Sequence, residues 1–197
     1  LATAIGSSGD RPAALAELIG TILNDGVRMP TLRIDSLHFA ADTPYETKVV
    51  NDPNVGKRVM PSEVATAMRE ALSQVVDAGT AKRVSGSFKT PDGTALAMGG
   101  KTGTGDNRIE AIGSGGRILS SKSINRTATF VFYIGDHHFG TLTAFVPGRT
   151  AEAFKFTSAL PVQVLKGMAP ILTPYLQPGR NTECLAPTVT ASNQTQG

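Results

Sequence analysis

Thr127-Ala128-Thr129-Phe130-Val131-Phe132-Tyr133-Ile134 and Thr141-Leu142-Thr143-Ala144-Phe145-Val146 are two β-branched and aromatic runs. They are joined by Gly135-Asp136-His137-His138-Phe139-Gly140. Runs of this composition bounded by a glycine-containing turn predict a β-hairpin, hence an antiparallel sheet. Upstream, residues 94–104 predict a strand interrupted by glycine, and residues 113–123 a Gly/Ser-rich loop. Downstream of Pro147-Gly148, residues 151–172 are expected to be helical despite Pro161.

Toward the start, Leu15, Leu18, Ile19, Ile22 and Leu23 recur at helical spacing over residues 12–23. Asp10 is a candidate cap there, and Asn24-Asp25-Gly26 a stop. A mixed apolar and polar pattern around residues 32–39, between Pro30 and Pro44, suits a strand, with His38 half-buried on it. Residues 41–59 look like a loop with room for a short strand. From Pro61, the positions Val64, Met68, Leu72, Val75 and Val76 predict a second amphipathic helix, with Gly79 as a left-handed exit. Helices on both sides of several strands imply an α+β fold, an antiparallel sheet flanked by helices. Residues 1–177 are expected to form this domain portion. Thr, Ser, Gln and Asn dominate residues 178–197, which are expected to be a disordered tail.

With 197 residues, 40% of them hydrophobic, the chain can bury one sizeable core. Its 19 basic and 16 acidic residues are spread along the sequence and aromatics make up 6% with no Trp, so no basic aromatic stripe for nucleic acid exists. A single cysteine, Cys184, excludes an intrachain disulfide and a cysteine metal cluster. No stretch approaches the ~20 apolar residues of a membrane span. Leu1 is expected to lie mid-protein, with any membrane anchor or export signal outside this sequence.

The chemically informative stretch is Gly99-Gly100-Lys101-Thr102-Gly103-Thr104-Gly105, a lysine and two hydroxyls among residues that admit a ligand to the backbone. A phosphate-binding loop would need glycine five places before Gly100, where Ala95 stands. The other chemistry is acyl transfer at a site for a terminal carboxylate, with Lys-Thr-Gly on an edge strand. Strand alternation puts Lys101 and Gly103 on one face and Thr102 and Thr104 on the other. His137 and His138 at the turn, Glu63 and Glu70 on the second helix, and Cys184 are expected to be solvated or structural.

The chain resembles the penicillin-binding transpeptidases, especially the bifunctional type with an N-terminal glycosyltransferase. Four stretches in the family's order carry the resemblance: residues 11–16 leading to 22–26; Met60-Pro61 with Val75-Val76-Asp77-Ala78-Gly79-Thr80-Ala81; Gly100-Lys101-Thr102-Gly103-Thr104; and Phe156-Thr157-Ser158-Ala159-Leu160-Pro161. It spans about residues 1–173 and implies the C-terminal part of the β-lactamase/D,D-transpeptidase fold. It also implies serine acyl transfer that cross-links peptidoglycan stem peptides and is blocked by β-lactams, without metal or organic cofactor, outside the cytoplasmic membrane.

Carried over by position, Lys101 would supply positive charge and Thr102 and Thr104 would hold the donor's terminal carboxylate. The backbone N–H of Thr104 would be an oxyanion donor, Gly103 would keep the strand open, and Gly105 would complete the substrate-binding run. The family's Ser-x-x-Lys occurs nowhere in this sequence, and Ser123-Ile124-Asn125 follows Lys101 where the family's Ser-x-Asn precedes it. The nucleophile is therefore expected from a missing N-terminal half of the domain. A catalytically inactive peptidoglycan or β-lactam binding module, a nucleotide-binding protein and a purely structural fragment are the alternatives.

Overall fold

In the computed structural model, residues 10–34, 36–50 and 55–176 are described. The expected tail, Cys184 and Asp35 lie outside them. The elements in chain order are α1 (Pro12–Leu23), β1 (Val27–Arg28), β2 (Ser36–Phe39), β3 (Thr47–Val50), β4 (Lys57–Arg58) and α2 (Ser62–Asp77). There follow β5 (Met98–Gly105), β6 (Arg108–Ile112), β7 (Ile118–Ser123), β8 (Asn125–Ile134), β9 (His138–Pro147) and α3 (Ala159–Leu172).

The central sheet is antiparallel, ordered β5-β8-β9, and the hairpin expected from the aromatic runs is β8–β9, closing at Ile134↔His138. β8 is its middle strand, so its side chains are buried on both faces and its sequence is nearly continuously apolar from Phe130 to Ile134. On one face Val131 and Tyr133 pack with Ile19 and Ile22 of α1 and with Met68 and Leu72 of α2. On the other, Phe130, Ile134 and Met98 pack with Val162, Leu165 and Ala169 of α3, with Val76, and with Val84 and Phe88 after α2. Phe130, Val84, Phe88 and Val162 are fully buried, and each such side chain stabilises the fold by ~1.5–3 kcal/mol relative to exposure.

Several local expectations change. Residues 113–123 are a 3-10 turn followed by β7, which pairs with β6 as a second hairpin. Serine and glycine composition concealed it because both strands are exposed and carry little apolar alternation. α3 begins at Ala159, with a 3-10 turn over Arg149–Ala153 before it. Pro161 falls in the first turn of α3, where its missing N–H would have no helical partner. Arg11, not Asp10, is the N-cap of α1, and no side-chain capping bond forms. Gly79 does not take the left-handed conformation. A β-carbon there would lie 2.9 Å from the Val75 backbone, so close approach is what requires glycine. His38 is exposed, not half-buried, and its Nε2 lies 2.6 Å from Glu46 Oε1. β2 and β3 form a separate two-stranded ribbon whose residues are all exposed.

Candidate functional site

β5 pairs with β8 along one edge only, and among the described residues no strand pairs with its other edge. The predicted site residues Lys101, Thr102, Gly103, Thr104 and Gly105 all lie on this edge strand. The register sets Lys101 opposite Val131 and Thr102 opposite Phe130, so Lys101 and Gly103 share the α1/α2 face while Thr102 and Thr104 share the α3 face.

The four glycines next to Lys101 and the two threonines divide into two kinds. A β-carbon on Gly99 would fall within the Tyr133 ring, and one on Gly100 would meet the Val131 carbonyl and the Phe130 ring. These two let β5 press against β8. At Gly103 and Gly105 a β-carbon would meet nothing within 4 Å. Their bareness leaves room for something that is not part of the chain.

Lys101 is exposed, and its Nζ donates to the Thr102 carbonyl at 2.5 Å. An ammonium has three protons, so two stay available to an anion. Thr104 is exposed and its hydroxyl oxygen accepts from the Ser158 N–H at 2.8 Å. That contact occupies a lone pair and leaves the Thr104 proton free to donate outward. Thr102 is different: it is 7% exposed, and its hydroxyl lies 2.6 Å from that of Thr80, in the loop after α2. Sequence reasoning treated the two threonines alike, and tertiary packing separates them.

Ser158 is placed by the segment that leads into α3. Arg126 of β8 donates from Nε and Nη2 to the Phe156 carbonyl at 3.0 and 2.7 Å, and its guanidinium stacks on the Phe156 ring at 5.8 Å. This clamp fixes the backbone two residues before the N–H that meets Thr104. Thr80 and Ser158 were not singled out from the sequence as site residues. Both lie within the quoted stretches, Gly79-Thr80-Ala81 and Thr157-Ser158, and a hydroxyl in each was the available signal.

Ser123-Ile124-Asn125 is tied into the fold by hydrogen bonds on β7 and β8. Ser123 is buried, its N–H donates to Glu152 Oε1 and its hydroxyl to the Asn125 carbonyl, while Asn125 Oδ1 accepts from the Asn107 N–H. His137 is exposed and His138 is partly buried at the β8–β9 turn. No group of three or more His, Cys, Asp or Glu that could hold a metal exists among the described residues. No described helix is long and apolar enough to cross a membrane.

A profile of the family described as the penicillin binding protein transpeptidase domain matches residues 1–113. No curated protein sequence matches the chain. Among solved structures, penicillin-binding protein A from M. tuberculosis as its ceftriaxone acyl-enzyme complex aligns with a TM-score of 0.52 at 20% identity. That alignment covers 84% of this chain and 32% of that one. The imipenem acyl-enzyme complex of the same protein gives 0.52 at 19% identity, over 86% and 33%. The apo form of penicillin-binding protein 3 from Mycobacterium tuberculosis gives 0.48 at 19% identity, over 81% and 34%. The chain thus spans about a third of the length of these structures.

Proposed function

Because the chain belongs to the penicillin-binding protein transpeptidase family, we propose that it supplies the carboxylate-binding strand of a D,D-transpeptidase. The reaction is serine acyl transfer. A serine attacks the penultimate D-alanine carbonyl of a peptidoglycan stem peptide and D-alanine leaves. The acyl group then passes from the serine oxygen to an amine of a neighbouring strand. The single observation that carries this reading is the edge of β5 that no strand among the described residues pairs with, with Lys101 and Thr104 exposed on it and open space over Gly103 and Gly105. An extended peptide can lie along such an edge as an added strand.

In this reading Lys101 holds the negative charge of the donor's terminal carboxylate, and the Thr104 hydroxyl donates to it because its oxygen already accepts from Ser158. The Thr104 backbone N–H is one oxyanion donor, a contact whose loss typically costs ~3 kcal/mol of transition-state stabilisation. The serine and its lysine base come from residues preceding Leu1. The absence of Ser-x-x-Lys in this sequence, and its span of about a third of the solved structures, support that assignment. The acylated site works on the outer side of the cytoplasmic membrane, where stem peptides are cross-linked. A glycosyltransferase in the same polypeptide fits the resemblance to the bifunctional type.

The test is labelling of the full-length protein by a fluorescent penicillin, followed by mass mapping of the acylated peptide. A label on a serine outside these 197 residues, weakened when Lys101 or Thr104 is changed, is the expected result. No label on a folded full-length protein would sink catalysis and leave the inactive peptidoglycan-binding module in its place.

A further inference from the structure

Where β5 ends, several segments of the chain enclose a polar cavity of about 290 Å³. Asp106 follows the last residue of β5, and Arg108 opens β6. Ser123 closes β7 opposite Arg108, and Arg126 is the second residue of β8. Glu152 comes from the 3-10 turn after β9, and Lys155 from the segment leading into α3. The cavity adjoins the site strand at two points. Asp106 lies two residues past Thr104, ~7 Å along an extended chain. Lys155 lies three residues before Ser158, whose N–H donates to the Thr104 hydroxyl oxygen.

The charges in the cavity wall do not cancel. Arg108, Arg126 and Lys155 are cationic, Asp106 and Glu152 anionic. Asp106 pairs with Arg108 at 2.7 Å, and Glu152 Oε1 accepts from the buried Ser123 N–H at 3.0 Å. Arg126 uses Nε and Nη2 on the Phe156 carbonyl, which leaves Nη1. The Lys155 ammonium meets no acceptor among the described residues. The wall therefore holds one positive charge in excess, with donors of two cationic side chains unengaged. Such an arrangement attracts an anion, and a carboxylate matches it in charge and in hydrogen-bonding capacity.

Transpeptidation as proposed above uses two peptides. The donor's terminal carboxylate lies on β5, and the amine that receives the acyl group belongs to a second stem peptide, which brings a carboxylate of its own. We propose that the cavity is the subsite for this acceptor peptide, holding its carboxylate against Lys155 and Arg126. The inference rests on the transpeptidase reading and deepens it by giving the acceptor a place separate from Lys101 and Thr104. Arg126 then serves both peptides, since it orders the segment that meets Thr104 and also faces the acceptor.

The test is binding of a fluorescently labelled stem peptide to the full-length protein after acylation by penicillin, which keeps the donor site occupied. Fluorescence anisotropy is read for the peptide with a free C-terminal carboxylate and for its carboxamide. The proteins are unmodified, Lys155→Ala and Lys155→Glu, with thermal melting of each to verify folding. Lys155 is exposed and its ammonium unbonded among the described residues, so neither change should disturb the fold. The unmodified acyl-enzyme is expected to bind the carboxylate form ~5-fold more tightly than the carboxamide, the size of one exposed charge pair. Lys155→Ala removes most of that preference, and Lys155→Glu reverses it. No preference in the unmodified acyl-enzyme, or one that both variants retain, overturns the proposal and leaves the transpeptidase reading standing. A full-length protein that takes no penicillin overturns both.

Discussion

The ring of Tyr133 occupies the space where a side chain on Gly99 would lie. Gly99 and Tyr133 stand opposite each other in the β5–β8 register, and Tyr133 is 2% exposed with its hydroxyl donating to the Arg69 carbonyl at 3.2 Å. Tyr133 thereby joins the site strand to α2.

From this contact follows a contrast between glycines in one strand. Gly99→Ala is expected to destabilise the fold by ~1–3 kcal/mol, the usual cost of overpacking. Gly103→Ala should leave the melting temperature nearly unchanged, because nothing lies within 4 Å of the added carbon. If Gly103 keeps the strand open to peptide, Gly103→Ala will still slow penicillin acylation. Thermal melting and acylation rates measured on both variants separate the two roles.

Lys101→Ala and Thr104→Val are expected to lower the rate of penicillin acylation by at least tenfold each without loss of folding, since both side chains are exposed and each removes a contact worth ~1.5–3 kcal/mol to a charged ligand. Stopped-flow labelling of the full-length protein provides the measurement. Unchanged rates in both variants would move the carboxylate site away from β5.

Arg126→Gln removes the bidentate hold on the Phe156 carbonyl. The segment before α3 should then exchange its amides faster, including the Ser158 N–H that meets Thr104. Hydrogen exchange is expected to show the change at Ser158 and not in the β8–β9 hairpin. Faster exchange throughout β8 would mean that Arg126 supports the sheet itself.

Asp136 and Arg69 form an ion pair beside Tyr133. The hydrogen bond from Arg69, and then its charge, hold the Asp136 carboxyl below the usual carboxylate range. A depressed folded-state value adds stability above the unfolded pKa of ~3.9 and loses it as pH falls through the folded value. The Asp136 side chain is 70% exposed, so screening limits the gain to ~0.5 kcal/mol. Asp136→Asn should therefore melt slightly lower than the unmodified protein at pH 7 and match it near pH 2. Burial is the larger influence on Tyr133 and pushes its hydroxyl above the ordinary tyrosine range. Its contribution is present below pH ~10 and falls away as alkaline pH ionises it.

The amino-acid order by itself determined the elements whose patterns are strong and local. α1 runs from Pro12 to Leu23 and is followed by the positive-φ Asp25 and Gly26, as the apolar spacing and stop residues required. β8 and β9 follow from two β-branched and aromatic runs around a glycine turn, and the Lys101-Thr102-Gly103 stretch marked the strand to which the proposed chemistry is assigned. The exposed hairpin of β6 and β7 escaped notice because solvent-facing strands need no apolar alternation. The start of α3 was misplaced because a composition suited to helix extends across a 3-10 turn at Arg149–Ala153 and an irregular stretch whose Phe156 carbonyl is held by Arg126. Only the tertiary structure decided which threonine is buried, which glycines serve packing and which leave a surface open. Those outcomes depend on what Phe130, Tyr133, Thr80 and Ser158 bring from distant positions, and a local pattern holds no record of partners that meet only once the sheet and helices have packed.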